Sequence, residues 1–241
     1  MKKKLLIYLG FFLLLIGGFY LAIMDERPFH ESTLKVINDQ IPDFVFQDQN
    51  GKEFSKKNTE GKVYVAEYFF TTCKGICPKM NTSMRRVYDR FKNEPEFLIA
   101  SHTCMPEVDS VPLMKSYEQK MLQGTVVKNE DGSYKMSPGE TTTPINNSNW
   151  FFLTGDKGML YQLARQGYII DNGKPDSTQT IANQFIHSQF FALVDKYGRV
   201  RGIYDGLKET EVDQLMLDIE ELLDEKVETT RFINGFSNTP N

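Results

Sequence analysis

The sequence predicts an α/β layered domain, a mixed sheet with flanking helices, standing behind one N-terminal transmembrane helix. Three observations carry this. Short runs rich in β-branched and aromatic residues alternate with stretches whose apolar residues recur at i, i+4 and i+7, the two periods that separate strands from helices. Two of the strand pairs flank turn signals, Asn50-Gly51 and Asp195-Lys196-Tyr197-Gly198, as hairpins require. Ahead of them, Leu5 to Met24 runs for twenty residues without a charge, enough to cross a hydrocarbon core of about 30 Å at about 1.5 Å per residue.

Residues 1–24 are therefore expected to be a cytoplasmic lysine tail and a membrane anchor. Lys2, Lys3 and Lys4 favour a cytoplasmic N-terminus, which puts the rest of a single-pass chain on the extracytoplasmic, periplasmic side of the inner or plasma membrane. A cleaved signal peptide is the rival reading, but its apolar region usually runs only about 7–15 residues. Residues 25–40 are polar and without period, a tether. The domain is expected over 41–226. It opens with the hairpin IPDFVFQDQNGKEFS, followed by a buried central strand, Val63 to Phe70. Met80, Met84, Val87, Tyr88 and Phe91 then mark one face of a helix, with Pro78 suited to its first turn. A strand over Phe97 to Ala100 and a helix over Val111 to Leu122 follow. Residues 123–149 interrupt the alternation with a solvent-facing hairpin, VVKNEDGSYKM, and a Thr/Pro/Asn-rich loop. Trp150 to Leu153 reads as a strand and Lys157 to Arg165 as a helix. Gln189 to Val194 and Arg199 to Tyr204 make the second hairpin, and a last helix carries Val212, Leu215, Met216, Ile219, Leu222 and Leu223. Residues 227–241 have no period and read as a flexible tail.

Among 241 residues the net charge is −4, and no basic block or aromatic–basic stripe occurs, so a nucleic-acid partner is not expected. Three cysteines are too few for a disulfide scaffold. Two of them, Cys73 and Cys77, lie in YFFTTCKGICPKM, on the turn between the central strand and the helix started by Pro78. A helix N-terminus favours the thiolate, which is both nucleophile and metal ligand. Were the stretch helical, the two Cα atoms would lie roughly 6 Å apart, within the range a disulfide accepts. A redox couple, a metal clamp and two buried structural thiols all remain open on this pattern. A metal needs a further donor, and thiolate with imidazole suits Cu(I) and can also hold Cu(II) or Zn(II). Of three histidines, His30 lies in the tether, His102 follows the strand near Cys104, and His187 stands just ahead of a strand. Met80 and Met84 belong to the apolar stripe and read as core.

Taken in order, IPDFVFQDQNGKEFS, GKVYVAEYFFTTCKGICPKM, PEVDS, NWFFLTGDKGMLYQLA and IHSQFFALVDKYGRV resemble the Sco/SenC family of membrane-anchored copper proteins that assist cytochrome c oxidase assembly. The resemblance covers residues 41–225 and implies a thioredoxin-like fold. It also implies that Cys73, Cys77 and His187 are the ligands of one copper ion per chain, Cu(I), Cu(II) or both, with His187 standing where ordinary thioredoxins carry a cis-proline. The implied partner is the apo copper-bearing subunit of cytochrome c oxidase; nothing in the chain names the upstream copper donor or thiol reductant. The alternative on the same pair is a thiol–disulfide oxidoreductase that reduces the acceptor's cysteines, with Cys73 attacking and Cys77 resolving. A peroxidase is a weaker third. The chain departs from the family at SHTCMPEVDS, where members read something like T-V-D-P-E-x-D: Cys104 and Met105 replace an apolar residue and an aspartate, while Asp109 keeps the second acid. Drift in a packed loop is the expectation for Cys104 and Met105; an accessory soft site, or a third thiol able to attack a Cys73–Cys77 disulfide, is the sharper alternative.

Overall fold

The structure, a computed structural model, describes residues 2–24, 32–137, 139, 146–171 and 189–225. The N-terminal helix and the folded body, Thr33–Leu223, are separate units. The N-terminal helix, α1, spans Lys2–Met24, and its side chains are described without a break only from Gly10 to Phe19, all of them exposed. Among the described residues no helix is long and apolar enough to cross a membrane; the apolar run Leu5 to Met24 extends beyond those described side chains.

The folded body begins with the expected hairpin, β1 (Val45–Gln47) and β2 (Glu53–Ser55). The Asp48 carboxylate accepts the main-chain N–H groups of Asn50 and Lys52 at 2.8 and 2.9 Å, and Gly51 supplies the positive φ of 74° that the turn needs. Then come β3 (Val63–Phe69), α2 (Cys77–Phe91), β4 (Phe97–Thr103) and α3 (Val111–Gln123). The hairpin expected in the insertion is present as β5 (Thr125–Lys128) and β6 (Tyr134–Ser137). Next are β7 (Trp150–Leu153), α4 (Lys157–Gln162), which runs into a wider π turn over Leu163–Gly167, β8 (Phe190–Val194), β9 (Val200–Asp205) and α5 (Glu209–Asp224).

Five strands form one mixed sheet in the order β7-β4-β3-β8-β9, with β3, β4 and β7 parallel and β8 and β9 antiparallel. Strand β3 lies in the middle and every residue of it is buried, as its continuous apolar character requires. Alternate residues serve opposite layers. Val63, Val65 and Phe69 join Phe97 and Ile99 against the apolar stripes of α2, α3 and α5. Tyr64, Ala66 and Tyr68, with Leu98 and Ala100, face the β1–β2 hairpin and α4. The five stripe residues expected on α2 are all buried in the first layer. Two arginines of α2 tie down the inserted hairpin: Arg85 donates to the carbonyls of Met121, Leu122 and Gly124 at 2.6–2.8 Å, and the Arg86 guanidinium lies 3.7 Å from the Tyr134 ring centre.

Two differences from the sequence expectation bear on function. Strand β4 runs three residues past Ala100, because Ser101, His102 and Thr103 pair with Glu67, Tyr68 and Phe69, so His102 lies inside the strand rather than after it. Within the stretch read as a tether, Thr33 to Asn38 is bound to the domain. Ile37 donates its N–H to the Val200 carbonyl and Val200 returns one to Asn38, both at 2.8 Å, while Thr33 bonds to Glu221. Residues 25–31 of the expected tether and 226–241, including the expected tail, lie outside the described residues. Buried Arg201 locks this segment: it donates to the Leu34 carbonyl at 2.7 and 3.1 Å and pairs with buried Asp195 at 2.8 Å. Arg201→Met should cost about 3 kcal/mol in urea unfolding, the low end of the roughly 3–5 kcal/mol for breaking a buried pair, because Arg199 still pairs with Asp195. A loss below about 1 kcal/mol would mean that the latch carries no more weight than a surface ion pair.

Candidate metal centre

Where β3 ends, the chain turns before α2 begins, and both cysteines of the pair lie on that turn. The Cys73 N–H bonds to the Phe70 carbonyl at 3.2 Å, and helix α2 starts at Cys77, with Pro78 in its first turn. Cys73 is half-buried and Lys74, Gly75 and Ile76 are exposed, whereas Cys77 is only 5% exposed. Both thiols are free, and beyond the effect of burial the neighbouring Cys73 thiol raises Cys77 further. The segment between them is a turn, not a helix, so the two cysteines are not held at helical spacing.

The expected effect of the helix N-terminus on Cys77 is overturned. Burial is the largest influence and pushes this thiol well above the ordinary range; the Cys73 thiol adds to the rise, against a main-chain bond from Phe70. A helix terminus is worth about 0.3–1 kcal/mol at an exposed site, too little to offset removal from water. The resting pair therefore holds a protonated Cys77.

The turn is clasped from β4. Buried Asp109 accepts the Thr71 hydroxyl at 2.5 Å, the Thr71 N–H at 3.3 Å and the Thr103 hydroxyl. Beneath it, Glu67 lies on the α2-facing side of β3, 2% exposed, and accepts the Ser101 hydroxyl at 2.6 Å. Ser101 in turn accepts the Trp150 indole N–H at 2.8 Å. Burial pushes the Glu67 carboxyl up to about 8. A single charged residue in the apolar run VYVAEYFF was the signal for this group; the sequence reading took the run only as a strand.

His102 is on the other face of the sheet. Its ring is fully buried among Phe44, Phe46, Tyr68 and Tyr168, with Nδ1 3.0 Å from the Ala100 carbonyl, and burial pushes it down to about 4. It is a neutral core histidine, away from the cysteines. Cys104 is 1% exposed; its N–H and its thiol both donate to the Phe69 carbonyl, at 2.9 and 3.2 Å. Burial first, then the Asp109 charge, pushes this thiol up to about 12. Met105 packs against the same apolar layer, so both residues behave as packed loop. His187 and His30 lie outside the described residues. Among the described residues no group of three or more His, Cys, Asp or Glu side chains is placed to hold a metal; two thiols of the expected three donors are brought together.

Glu67 and His102 set opposed pH slopes for the reduced protein. Between 4.5 and about 8, folded Glu67 keeps a proton that the unfolded chain loses, so stability falls with rising pH by about 1.4 kcal/mol per unit. Between about 4 and 6.5, unfolded His102 holds a proton that the folded ring lacks, so stability rises with pH at a similar slope. The two cancel from 4.5 to 6.5, and Glu67 alone acts from 6.5 to about 8. Urea unfolding across this range should show a plateau and then a decline, and Glu67→Gln should remove the decline. A wild-type stability that climbs above pH 6.5 would contradict the Glu67 assignment.

Residues 35–136 match the SCO1/SenC family model. The chain is 27% identical to the SCO1 protein homolog of Bacillus subtilis (strain 168) over 186 residues, 76% of this chain and 83% of that protein. Its fold superposes on a SCO1/SenC family lipoprotein from Bacillus anthracis str. Ames with a TM-score of 0.60 at 26% identity, covering 78% of this chain and 97% of that one. It also superposes on BsSco, a member of the Sco family of cytochrome c oxidase assembly proteins in which a disulfide switch has been identified. There the TM-score is 0.59 at 26% identity, over 80% and 98% of the two chains. With the mixed sheet and the paired thiols between β3 and α2, the chain is thus similar in sequence and fold to proteins of the SCO1/SenC family.

Proposed function

We propose that this protein is a membrane-anchored copper metallochaperone that assists cytochrome c oxidase assembly by passing one copper ion to the copper centre of an apo oxidase subunit. The observation that carries this reading is the Cys73–Cys77 pair, two free thiols four residues apart on a turn whose middle is exposed. Two thiolates offer a soft, two-point grip that suits Cu(I) and also Cu(II). His187, three residues before the start of β8 at Phe190, is assigned the third ligand on the family resemblance. Its imidazole would complete a sulfur–nitrogen set. The exposed turn lets an acceptor's ligands reach the ion and replace the protein's own one at a time. Because the Cys77 thiol is held protonated by burial, uptake of the ion releases protons and strengthens as pH rises.

Leu5 to Met24 is assigned as a single-pass anchor that keeps the domain at the extracytoplasmic membrane surface; a relative of 26% identity is described as a lipoprotein. A second reading uses the same sulfurs without metal. The two cysteines share one short turn, and BsSco is described as carrying a disulfide switch, so the pair would also serve as a thiol–disulfide oxidoreductase acting on the acceptor's cysteines.

Copper titration of the full reduced chain in detergent should reach about one ion per chain with sulfur and nitrogen in its first shell. Cys73→Ser or Cys77→Ser should abolish tight binding. His187→Ala should weaken it by more than the roughly 10–100-fold that loss of an outer-shell partner costs; unchanged affinity in that variant would overturn the third-ligand assignment. The anchor has its own check. The protein should stay with membranes after carbonate washing and be shaved from spheroplasts by added protease, whereas a soluble form beginning near Asp25 would show that the segment is cleaved.

A further inference from the structure

We propose that Ile76, Val108 and Leu113, together with Lys74 and Lys79, form the face on which the acceptor protein docks. The partner that fits this face is a protein surface whose apolar side chains are flanked by carboxylates and adjoin the groups that receive copper. The inference rests on the reading of the cysteine pair as a copper donor, and adds to it the chemistry of the acceptor's contact surface.

Two loops meet at the cysteine turn. Asp109, on the loop after β4, accepts the Thr71 hydroxyl at 2.5 Å, so Val108 lies one residue from the clasp on that turn. Helices α2 and α3 both start at this end of the sheet, after the parallel strands β3 and β4. One turn along each helix, the Asn81 amide donates to the Tyr117 hydroxyl at 2.7 Å. Cys77 and Leu113 each stand four positions before a member of that pair, so the first turns of the two helices lie side by side. Ile76 immediately precedes Cys77. Ile76, Val108 and Leu113 are 37%, 46% and 37% exposed, and none of them belongs to either apolar layer.

Single exposed aliphatic residues are ordinary on a protein surface, but these three surround one reactive turn on a fixed frame. Val108 and Asp109 both donate their main-chain N–H to the Met105 carbonyl at 2.9 Å, and Ser110 donates to the Val108 carbonyl at 3.0 Å. A loop already held in place loses little freedom when a partner settles on it.

Charge selects the partner. Lys74 and Lys79 are exposed, and neither has an ion-pair partner among the described residues. The acids of the facing loop are engaged elsewhere: Glu107 pairs with Lys157 at 2.7 Å, and Asp109 holds Thr71 and Thr103. The face is therefore positive on a chain whose net charge is −4. This local reversal steers in a surface rich in carboxylates. A small apolar centre with steering charges also suits a carrier, which has to release its acceptor after each delivery.

The test uses the full reduced chain in detergent and, as acceptor, the apo extracytoplasmic domain of the copper-bearing oxidase subunit. Two quantities are read: the bimolecular rate of copper transfer from the loaded chain, and the affinity of the copper-free chain for the same domain. Val108→Ser/Leu113→Ser, with both changes off the cysteine turn, should lower affinity and rate at least about tenfold while copper stoichiometry is kept. Leu113→Asp suits the first turn of a helix; it should lose as much, and it carries the test should the double variant not fold. The wild-type transfer rate should fall as salt rises, and Lys79→Gln should flatten that dependence. Wild-type affinity, rate and salt dependence in all of these variants would overturn the docking face and leave copper donation standing. A wild type that binds copper but passes none to the domain would overturn the acceptor reading, and this inference with it. A wild-type dimer in detergent that the same substitutions convert to monomer, with transfer unchanged, would give the face to a second copy and overturn the proposal.

Discussion

The cysteine turn depends on strand β3 having no free side. Both of its edges are taken, by β4 in parallel and β8 antiparallel, and both of its faces are covered by apolar layers. A strand enclosed in this way cannot shift its register, because a slip of one residue would exchange its two faces. Its end is therefore a fixed point. The Phe69 carbonyl accepts from Cys104, the Phe70 carbonyl accepts from Cys73, and Asp109 holds Thr71 between them. On the far side of the turn, the stripe of α2 from Met80 to Phe91 is packed into the core. The two cysteines are thus fixed at both ends of a short loop whose middle stays exposed.

The same enclosure decides the charge of the site. Burial acts on Cys77 and Glu67 in one direction, raising both, while the weak pull of a helix terminus acts only on the sulfur. Burial thus favours the neutral form of both acids near pH 7. It also means that any event at the sulfurs, whether a metal or a disulfide bond, has to move protons. Protonation of the thiols is consequently part of the site's chemistry and not a background property.

Much of this was legible in the sequence. The stripe on α2, the two hairpins with Gly51 and Gly198 at positive φ, and the buried run of β3 were all set by periodicity and turn residues. The end of β4 was not, because Ser101, His102 and Thr103 are polar and their pairing with β3 is a main-chain matter that side-chain pattern does not reveal. Thr33 to Asn38 escaped because its apolar Leu34, Val36 and Ile37 show no clear period, and it docks through main-chain bonds to Val200 and the Arg201 latch. At the site, spacing found the two thiols, but it could not weigh desolvation of Cys77 against the helix terminus. That balance depends on how deeply α2 is packed.

The departure of this chain at Cys104 and Met105 follows from the same packing. With Met105 turned into an apolar layer instead of an acid, the clasp on the turn rests on Asp109, which Thr71 and Thr103 satisfy. Cys104 then brings a third sulfur within electrostatic reach of Cys73, which would invite scrambling if it were reactive. Its surroundings prevent that. The thiol spends its proton on the Phe69 carbonyl and is raised to about 12, so near pH 7 only about one molecule in 10⁵ carries the thiolate that exchange requires. Burial that makes Cys77 a reluctant acid makes Cys104 an inert one, and half-buried Cys73 is left as the sulfur that an outside partner can reach first.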